Sequence, residues 1–215
     1  MGAPLAPPGR RGWTRRLFAW LTATSDETSH RLYGRRKQAL LGDVRGTVVE
    51  LGPGTGANLR YYRPDVRWIG IEPNLYMHPY LRRRAAHLDM NADLRVGIAE
   101  TLNLPEQSVD AVVSTLVLCS VDDVAATLRE VQRVLKPGGR FVFVEHVAAP
   151  QGTPLCRAQQ LTRPVWRRCV DGCHPDRETW RSLEAAGFSH LDYERFDVAL
   201  PIPIVRPHIA GMAVT

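Results

Sequence analysis

The stretch "VVELGPGTGANLRYY", Val48 to Tyr62, decides the fold of this chain. It opens with a short apolar run, which is typical of a strand buried in a parallel sheet. Three glycines alternate with other residues directly after that run, and a segment with helical periodicity follows them. Because glycine accepts positive φ angles and lets a ligand approach the backbone, the stretch predicts a strand, a tight loop and a helix that together bind a nucleotide.

The alternation of strand and helix patterns continues along the chain. Strands are predicted at "TVVEL", "RWIGIE", "LRVGIA", "VDAVVSTL", "GRFVFVEHV", "HLDYERFDV" and "HIAGMAVT". Helices are predicted at "GANLRYY", "LYMHPYLRRRAAHL", "VDDVAATLREVQRVL" and "RETWRSLEAAG". We therefore expect an α/β fold, with a Rossmann-like, seven-stranded, mostly parallel sheet, an antiparallel last strand and helices on both faces.

Two regions fall outside this regular pattern. Residues 1–45 precede the predicted domain, residues 46–215; they consist of a flexible leader, "MGAPLAPPGRRG", and helices at about residues 13–22 and 27–41. Residues 148–174 contain three prolines and helix potential only around Leu155–Leu161, which is consistent with a substrate lid or with a packed crossover.

The basic charge of the chain is confined to its N-terminal region. Residues 1–45 contain nine basic and three acidic residues, whereas the remainder contains 19 of each. We therefore expect no nucleic-acid partner for the main domain. In residues 10–24, the arm, apolar side chains recur at helical spacing between arginines, which predicts a lid over the substrate cleft or a peripheral membrane contact.

The sequence carries no signal for export. No apolar run approaches the ~20 residues that a membrane-spanning helix needs, and four cysteines in 215 residues do not suggest a disulfide scaffold. A cytoplasmic location is expected, and the Arg-, Ala- and Pro-rich composition suits a bacterial protein. The segment "CVDGCH", Cys169–His174, could suggest zinc, but its spacing is not the usual C-x2-C pair, so no metal is expected.

The glycine loop alone is compatible with two classes of enzyme. Gly52, Gly54 and Ala57 satisfy the relaxed dinucleotide fingerprint, and Glu72 ends the next strand, where a ribose ligand is expected. An NAD(P)-dependent reductase fits these residues, and so does a methyltransferase that uses S-adenosylmethionine. Glu50, inside the first strand, favours the second class, because a carboxylate would repel a pyrophosphate but tolerates the ammonium of a methionine group.

Features downstream also favour S-adenosylmethionine. "AETLNLPEQSVDAVVS" places Ala99 and Glu100 where they can meet adenine, and "VQRVLKPGGRFVF" leads into the fifth strand. A helix and two strands then close the chain in place of a second mononucleotide half. Over residues 46–147 this ordered set resembles the class I S-adenosylmethionine-dependent methyltransferases.

From Tyr33 to the end, the resemblance becomes narrower. "TLVLCSV", "FVFVEHVAAP", "DGCHPDRETW" and "VRPHIAGMAV" are similar to the small thiol S-methyltransferases, which contain a methyltransferase-like, type 11 domain. Animal members of that family begin with a long hydrophobic membrane anchor, whereas this chain has only the short arm. The resemblance implies that S-adenosylmethionine is bound by Glu50, Gly52, Gly54, Gly56, Asn58, Glu72, Ala99, Glu100, Thr115 and Leu116. For Glu72 the alternative is a solvated carboxylate at a strand end, and for Glu100 it is capping of the following loop.

The reaction expected from this resemblance is methylation of a small, hydrophobic thiol, in detoxification or natural-product biosynthesis. The sulfonium already activates the methyl group, so the protein must mainly align the acceptor and exclude water. O-, N- or C-methylation of a quinone, lipid or polyketide is the alternative within the class. A protein that binds the adenosyl group without catalysis is the alternative outside it.

Candidate residues for the acceptor follow the carboxyl ends of strands four and five or lie in the crossover. His146 is expected to act as a base or a thiolate stabiliser, or to be a structural histidine. Asp171 is expected to orient the substrate, or to cap the turn at Gly172. The remaining candidates for substrate binding are Tyr33, Cys119, Cys173 and His174. Cys119 could equally be a small buried apolar residue.

Overall fold

The computed structural model describes residues 10–215, with side chains from Gly12 onwards. The helices are α1 (Arg10–Thr24), α2 (Asp26–Leu41), α3 (His78–His87), α4 (Val124–Val134), α5 (Pro154–Cys169) and α6 (Thr179–Ala185). The strands are β1 (Thr47–Leu51), β2 (Arg67–Ile71), β3 (Ala92–Arg95), β4 (Val109–Thr115), β5 (Leu135–His146), β6 (His190–Asp197) and β7 (Pro207–Val214). Residues 1–9 of the predicted leader lie outside the described residues, and residues 10–12 belong to α1.

The seven strands form one sheet in the order β3-β2-β1-β4-β5-β7-β6. Strands β1 to β5 are parallel, and β7 lies antiparallel between β5 and β6. This arrangement confirms the predicted fold class. The strand order reverses between β1 and β4, and in open α/β sheets ligands bind beyond the carboxyl ends of the strands at such a point.

Helices cover both faces of the sheet because its central strands are apolar on both sides. Successive strand residues point to opposite faces. Val49 and Val112 therefore pack into a core with Leu128 of α4. Val48 and Ala111 pack into a second core that includes Leu81 of α3.

The prediction of a helix at "GANLRYY" is wrong. Residues 54–58 form turns, and only a single 3-10 turn follows at Leu59–Tyr61. Leu59, Tyr61 and Tyr62 are all buried, and the Tyr62 hydroxyl donates to the Glu50 carboxylate at 2.8 Å. These tertiary contacts fix the segment and outweigh its weak preference for a helix, since short helices are marginal on their own.

Residues 148–174 are more regular than the sequence indicates. Helix α5 runs for 16 residues, although only seven were expected to be helical. The Thr153 side chain accepts the backbone N–H of Cys156 at 3.2 Å, and Pro154 occupies the first helical position, where its missing N–H costs nothing. Pro164 lies inside the helix and does not end it.

Helix α1 lies over the carboxyl edge of the sheet. The Arg15 carbonyl accepts a hydrogen bond from the Asn74 side chain at 3.3 Å, in the loop that follows β2. The Arg15 guanidinium also lies 3.4 Å from the Asp171 carboxylate, in the loop after α5. The helix therefore joins two loops at the rim of the expected site. Among the described residues, no helix is long and apolar enough to cross a membrane.

Candidate active site

The loop after β1 has the backbone that a nucleotide site requires. Gly52, Gly54 and Gly56 have φ angles of 50°, 57° and 83°, in the left-handed region that other residues avoid. A Cβ added at Gly54 would meet no protein atom within 4 Å. Open space at this position leaves room for a ligand to lie against the backbone.

Glu72 connects this loop to the end of β2. One carboxylate oxygen accepts the Gly54 N–H at 2.9 Å, and the other accepts the Asn74 N–H at 2.7 Å. Burial raises the pKa of Glu72, while these two N–H donors oppose that rise. Each oxygen retains a further lone pair, so the carboxylate can still accept hydrogen bonds from two ribose hydroxyls. It is not the solvated strand-end carboxylate of the alternative interpretation, because its residue is only 5% exposed.

Glu50 lies behind the loop and holds it in place. Its carboxylate accepts hydrogen bonds from Asn58, Tyr62 and Trp68 at 2.8, 2.8 and 3.0 Å. Burial raises the pKa of Glu50 and these donors lower it. Its contacts in the structure are with protein groups, so direct binding of the cofactor by Glu50 stays a prediction.

Asn58 connects β1 to the end of β4. Its amide nitrogen donates to Glu50 and, at 3.0 Å, to the Thr115 hydroxyl. Its carbonyl oxygen is buried and has no hydrogen-bond partner in the described part of the chain. An acceptor in this position fits the ammonium of a methionine group, because a buried acceptor that remains unpaired costs free energy. The residues of the loop therefore fit S-adenosylmethionine.

Leu116, which follows Thr115 at the end of β4, has an unusual backbone conformation. Its φ angle is 59°, unusual for a residue with a branched side chain, and its N–H donates to the Val144 carbonyl at 2.8 Å. Strained backbone of this kind is concentrated at ligand sites.

Glu100 supports a loop in the structure. Its carboxylate accepts the N–H of Asp122 at 2.8 Å and that of Asp123 at 3.5 Å, just before α4. The capping alternative is therefore observed, and a contact between Glu100 and adenine stays a prediction. The neighbouring Ala99 is buried against the core of the sheet.

Beyond Leu116, three side chains converge at the ends of β4 and β5. Cys119, His146 and Cys173 are all buried, and one ligand atom of each lies within 4.8 Å of the other two. We call them the Cys–His–Cys cluster. His146 Nε2 lies 3.0 Å from Cys173 Sγ, and the Trp166 indole N–H donates to the same sulfur at 3.1 Å. His146 Nδ1 is buried without a partner among the described residues.

The two thiols of the cluster differ in acidity. A hydrogen bond from Cys119 lowers the pKa of Cys173, and the same contact, with burial, raises the pKa of Cys119. Burial lowers the pKa of His146, but Cys119 and Glu145 outweigh burial and hold it above its ordinary value. Of the two thiols, that of Cys173 is therefore the more acidic.

Asp171 is not part of the Cys–His–Cys cluster. It pairs with Arg15, and its charge raises the pKa of Glu72, which places it on the cofactor side of the edge. A φ angle of 37° shows that it occupies the tight turn before Gly172. No contact between Asp171 and His146 is observed among the described residues. The predicted role of Asp171 in orienting the substrate would therefore act through its ion pair with Arg15 of α1.

Tyr33 and His174 lie beside the cluster without joining it. The Tyr33 hydroxyl lies 3.0 Å from His208 Nε2, and the His208 ring lies 6.1 Å from the His146 ring, centroid to centroid. The backbone N–H of His174 donates to the Cys119 carbonyl at 2.8 Å. Burial, together with Arg177 and Arg167, lowers the pKa of His174 to about 4.

Three supporting residues were missed by the sequence analysis. The Arg177 guanidinium donates to the carbonyls of Leu118 and Val121, both at 2.7 Å, and so fixes the loop that carries Cys119. His208 and Trp166 complete the surroundings of His146 and Cys173. Only "VRPHI", in the family resemblance, pointed to His208, because nothing in local spacing connects these residues to the site.

Comparison with known proteins identifies the family. A family profile described as a methyltransferase domain matches residues 49–143. Thiol S-methyltransferase TMT1B of Rattus norvegicus is 39% identical over 209 residues, which cover 92% of this chain and 85% of that protein. Thiol S-methyltransferase TMT1A of Homo sapiens is 42% identical over 171 residues, 78% of this chain and 70% of that protein. The chain belongs to the thiol S-methyltransferase family.

Solved structures support the fold of this methyltransferase. The [4+2]-cyclase SpnF superposes with a TM-score of 0.67 at 20% identity and covers 84% of this chain and 78% of its own. Geranyl diphosphate C-methyltransferase from Streptomyces coelicolor, in complex with S-adenosyl-L-homocysteine, gives 0.67 at 17% identity, with 86% and 80% covered. Family membership confirms the predicted class of enzyme and its cofactor, S-adenosylmethionine, and sets aside the reductase alternative.

Proposed function

We propose that this methyltransferase transfers the methyl group of S-adenosylmethionine to the sulfur of a small, hydrophobic thiol. The observation that carries the proposal is the buried Cys–His–Cys cluster at the ends of β4 and β5, beside the cofactor loop. The names of its relatives in rat and human support a thiol acceptor.

Apolar packing near the cluster supports a hydrophobic acceptor. Leu116, between the cofactor loop and the cluster, packs against a buried group that contains Tyr33, Val144 and Val198. Burial of apolar surface stabilises a bound alkyl or aryl group by about 25 cal/mol per Å². A small charged acceptor would gain nothing from such a wall.

The chain's own residues then have three tasks. S-adenosylmethionine, when bound, supplies an activated methyl group. Glu72 is proposed to hold the ribose hydroxyls and Asn58 the ammonium, which fixes the position of the methyl group. His146 is proposed to favour the thiolate form of the acceptor, which is the reactive form. Burial of the site excludes water, which would compete as a nucleophile.

The setting we propose is a reducing cytoplasm, in which the enzyme methylates a reactive thiol for detoxification or completes a natural product. All four cysteines are free in the structure, which supports a reducing environment.

The experiment that tests the function compares wild type with His146→Ala on a hydrophobic alkyl thiol, with S-adenosylhomocysteine as the measured product. The variant is expected to lose ~100-fold or more in kcat, because general acid–base catalysis by a positioned side chain contributes that much. Its affinity for S-adenosylhomocysteine, measured by calorimetry, should be nearly unchanged. His87→Ala, an exposed histidine on α3, is the matched control.

Two results would contradict the proposal. Unchanged turnover in His146→Ala would remove His146 from the mechanism. A wild-type enzyme that prefers phenols or amines to thiols in the same assay would favour the O- or N-methylation alternative.

A further inference from the structure

The Cys–His–Cys cluster brings together residues that are far apart in the sequence. Cys119 follows β4, His146 ends β5, and Cys173 lies between α5 and α6. Each of the three residues is at most 5% exposed, and their sulfur and nitrogen atoms lie within 4.8 Å of one another. Two thiol sulfurs and one imidazole nitrogen from three segments thus face one small volume.

Two thiolates and one imidazole are a ligand set that zinc prefers. With Zn–S bonds of ~2.3 Å and Zn–N bonds of ~2.0 Å, tetrahedral geometry separates the ligand atoms by roughly 3.5 to 3.8 Å. His146 Nε2 and Cys173 Sγ are 3.0 Å apart, at hydrogen-bonding distance. Replacement of the shared proton by an ion therefore requires these atoms to separate by only about half an ångström.

The surrounding contacts hold the ligands in place, as the outer shell of a metal site does. The Trp166 N–H donates to the sulfur of Cys173. Arg177 fixes the carbonyls on either side of Cys119, and the backbone N–H of His174 donates to the Cys119 carbonyl. Two of the three ligands are thereby positioned by groups that do not take part in the cluster.

We propose that Cys119, His146 and Cys173 bind a zinc ion whose fourth coordination position takes the sulfur of the acceptor thiol. Three protein ligands with one open position are the arrangement of a catalytic zinc site. The first half of the proposal stands on the geometry of the cluster, and the second half rests on the proposed thiol acceptor.

The reaction balances without any further reagent. The acceptor thiol loses its proton to solvent as its sulfur binds zinc, which keeps the thiolate available at neutral pH. A lone pair on this sulfur then forms the new bond to the methyl carbon. The bond between that carbon and the sulfonium breaks, its electron pair stays on the sulfur of S-adenosylhomocysteine, and the neutral thioether leaves the zinc.

The metal content of the purified protein tests the site directly. The protein is purified without chelators or a polyhistidine tag, with a phosphine reductant present, and analysed by inductively coupled plasma mass spectrometry. Wild type is expected to hold about one zinc per chain, and Cys119→Ser and Cys173→Ser to hold less than about a fifth of that. Cys156→Ser, which is buried elsewhere, and Cys169→Ser, which is exposed, should keep the zinc.

Cobalt substitution tests the open position. Metal-free wild type titrated with Co²⁺ should gain sulfur-to-cobalt charge-transfer absorption and the visible bands of a tetrahedral site. A hydrophobic alkyl thiol added with S-adenosylhomocysteine should then shift those visible bands. Retained binding of S-adenosylhomocysteine by the cysteine variants shows that they are folded.

The outcomes separate this inference from the proposed function. Thiol turnover by a protein that holds no zinc and gives no cobalt spectrum would overturn the zinc site and leave the proposed function intact. Bound zinc and cobalt without thiol turnover would leave the metal site intact and overturn the proposed function. Equal zinc in wild type and Cys119→Ser would also overturn the site.

Discussion

The Glu72 carboxylate accepts the backbone N–H of Gly54 at 2.9 Å. Glu72, which is proposed to bind the ribose, and the glycine loop therefore hold each other in position. In Glu72→Gln the amide has one acceptor oxygen in place of two and presents an N–H to one of its former donors. We expect S-adenosylhomocysteine to bind ~10- to 100-fold more weakly, as measured by calorimetry. Glu106→Gln, in an exposed loop, should bind normally. Equal affinities for both variants would exclude Glu72 from the cofactor site.

Gly54→Ala should impair cofactor binding more than stability. The added Cβ meets no protein atom within 4 Å but projects into the space assigned to the ligand. The positive φ angle of 57° costs roughly 1–2 kcal/mol of stability for alanine. Gly138→Ala is a matched control, because Gly138 also has a positive φ, 74°, and open space, but lies in the N-terminal part of β5.

Urea denaturation and calorimetry on both variants separate the two effects. Each variant should lose a similar free energy of unfolding, whereas only Gly54→Ala should lose affinity for S-adenosylhomocysteine, by ~10-fold or more. A Gly54→Ala protein that binds the cofactor as tightly as Gly138→Ala would show that no ligand occupies this space.

Lys37 makes the stability of the protein depend on pH in the alkaline range. Burial lowers its pKa to about 8, although Glu50 opposes that change. Above that value the folded protein releases a proton that the unfolded chain holds up to about pH 10.5, so stability rises between these limits, by up to ~3 kcal/mol. Urea denaturation from pH 7 to pH 10 should show this rise in wild type.

Substitution separates this contribution from other titrating groups. Relative to wild type, Lys37→Met should lack the rise, whereas Lys136→Met, at an exposed lysine that pairs with Asp110, should keep it. Parallel stability curves for wild type and Lys37→Met would contradict the lowered pKa.

The arm presents an apolar surface next to arginines, and we propose that it contacts anionic membranes. Trp13 and Trp20 of α1 are 70% and 53% exposed, and Leu17 and Leu21 are exposed beside them. Trp13→Ser combined with Trp20→Ser should reduce flotation with liposomes that contain phosphatidylserine, since interfacial binding depends on buried apolar area. Leu88→Ser, at an exposed leucine after α3, should float like wild type.

If the double variant floats like wild type but has a higher KM for the thiol, α1 is a lid and not a membrane contact. Its two contacts at the rim, with Asn74 and Asp171, are compatible with either role.

Local patterns predicted the sheet and the cofactor loop because both are encoded in contiguous residues. Alternating strand and helix periodicity predicted all seven strands, and the spacing from Gly52 to Glu72 predicted a carboxylate beside the glycine loop, where Glu72 accepts the Gly54 N–H. The segment after Gly56 was predicted wrongly, because buried contacts of Tyr62 outweigh its helical pattern.

The acceptor side could be predicted only in part. Within Cys169–His174 the spacing of the cysteines argues against a zinc site. In the structure Cys169 is exposed, whereas Cys173 meets Cys119 and His146 from other segments. Ligand sets assembled from distant segments leave no local spacing to read, so this cluster could not be predicted from the sequence, and the expectation of no metal stays a prediction.

The position of β7 between β5 and β6 limits the order in which the sheet can form, because β6 joins the sheet through β7. The ribosome makes β6 before β7, yet among the described strands β6 pairs only with β7. Until β7 has emerged, β6 has no neighbour and the far side of β5 is an open edge. His208, which pairs in register with His146 across that edge, can therefore join the site only when β7 pairs with β5, so the acceptor side cannot be complete before the final strand of the sheet is in place.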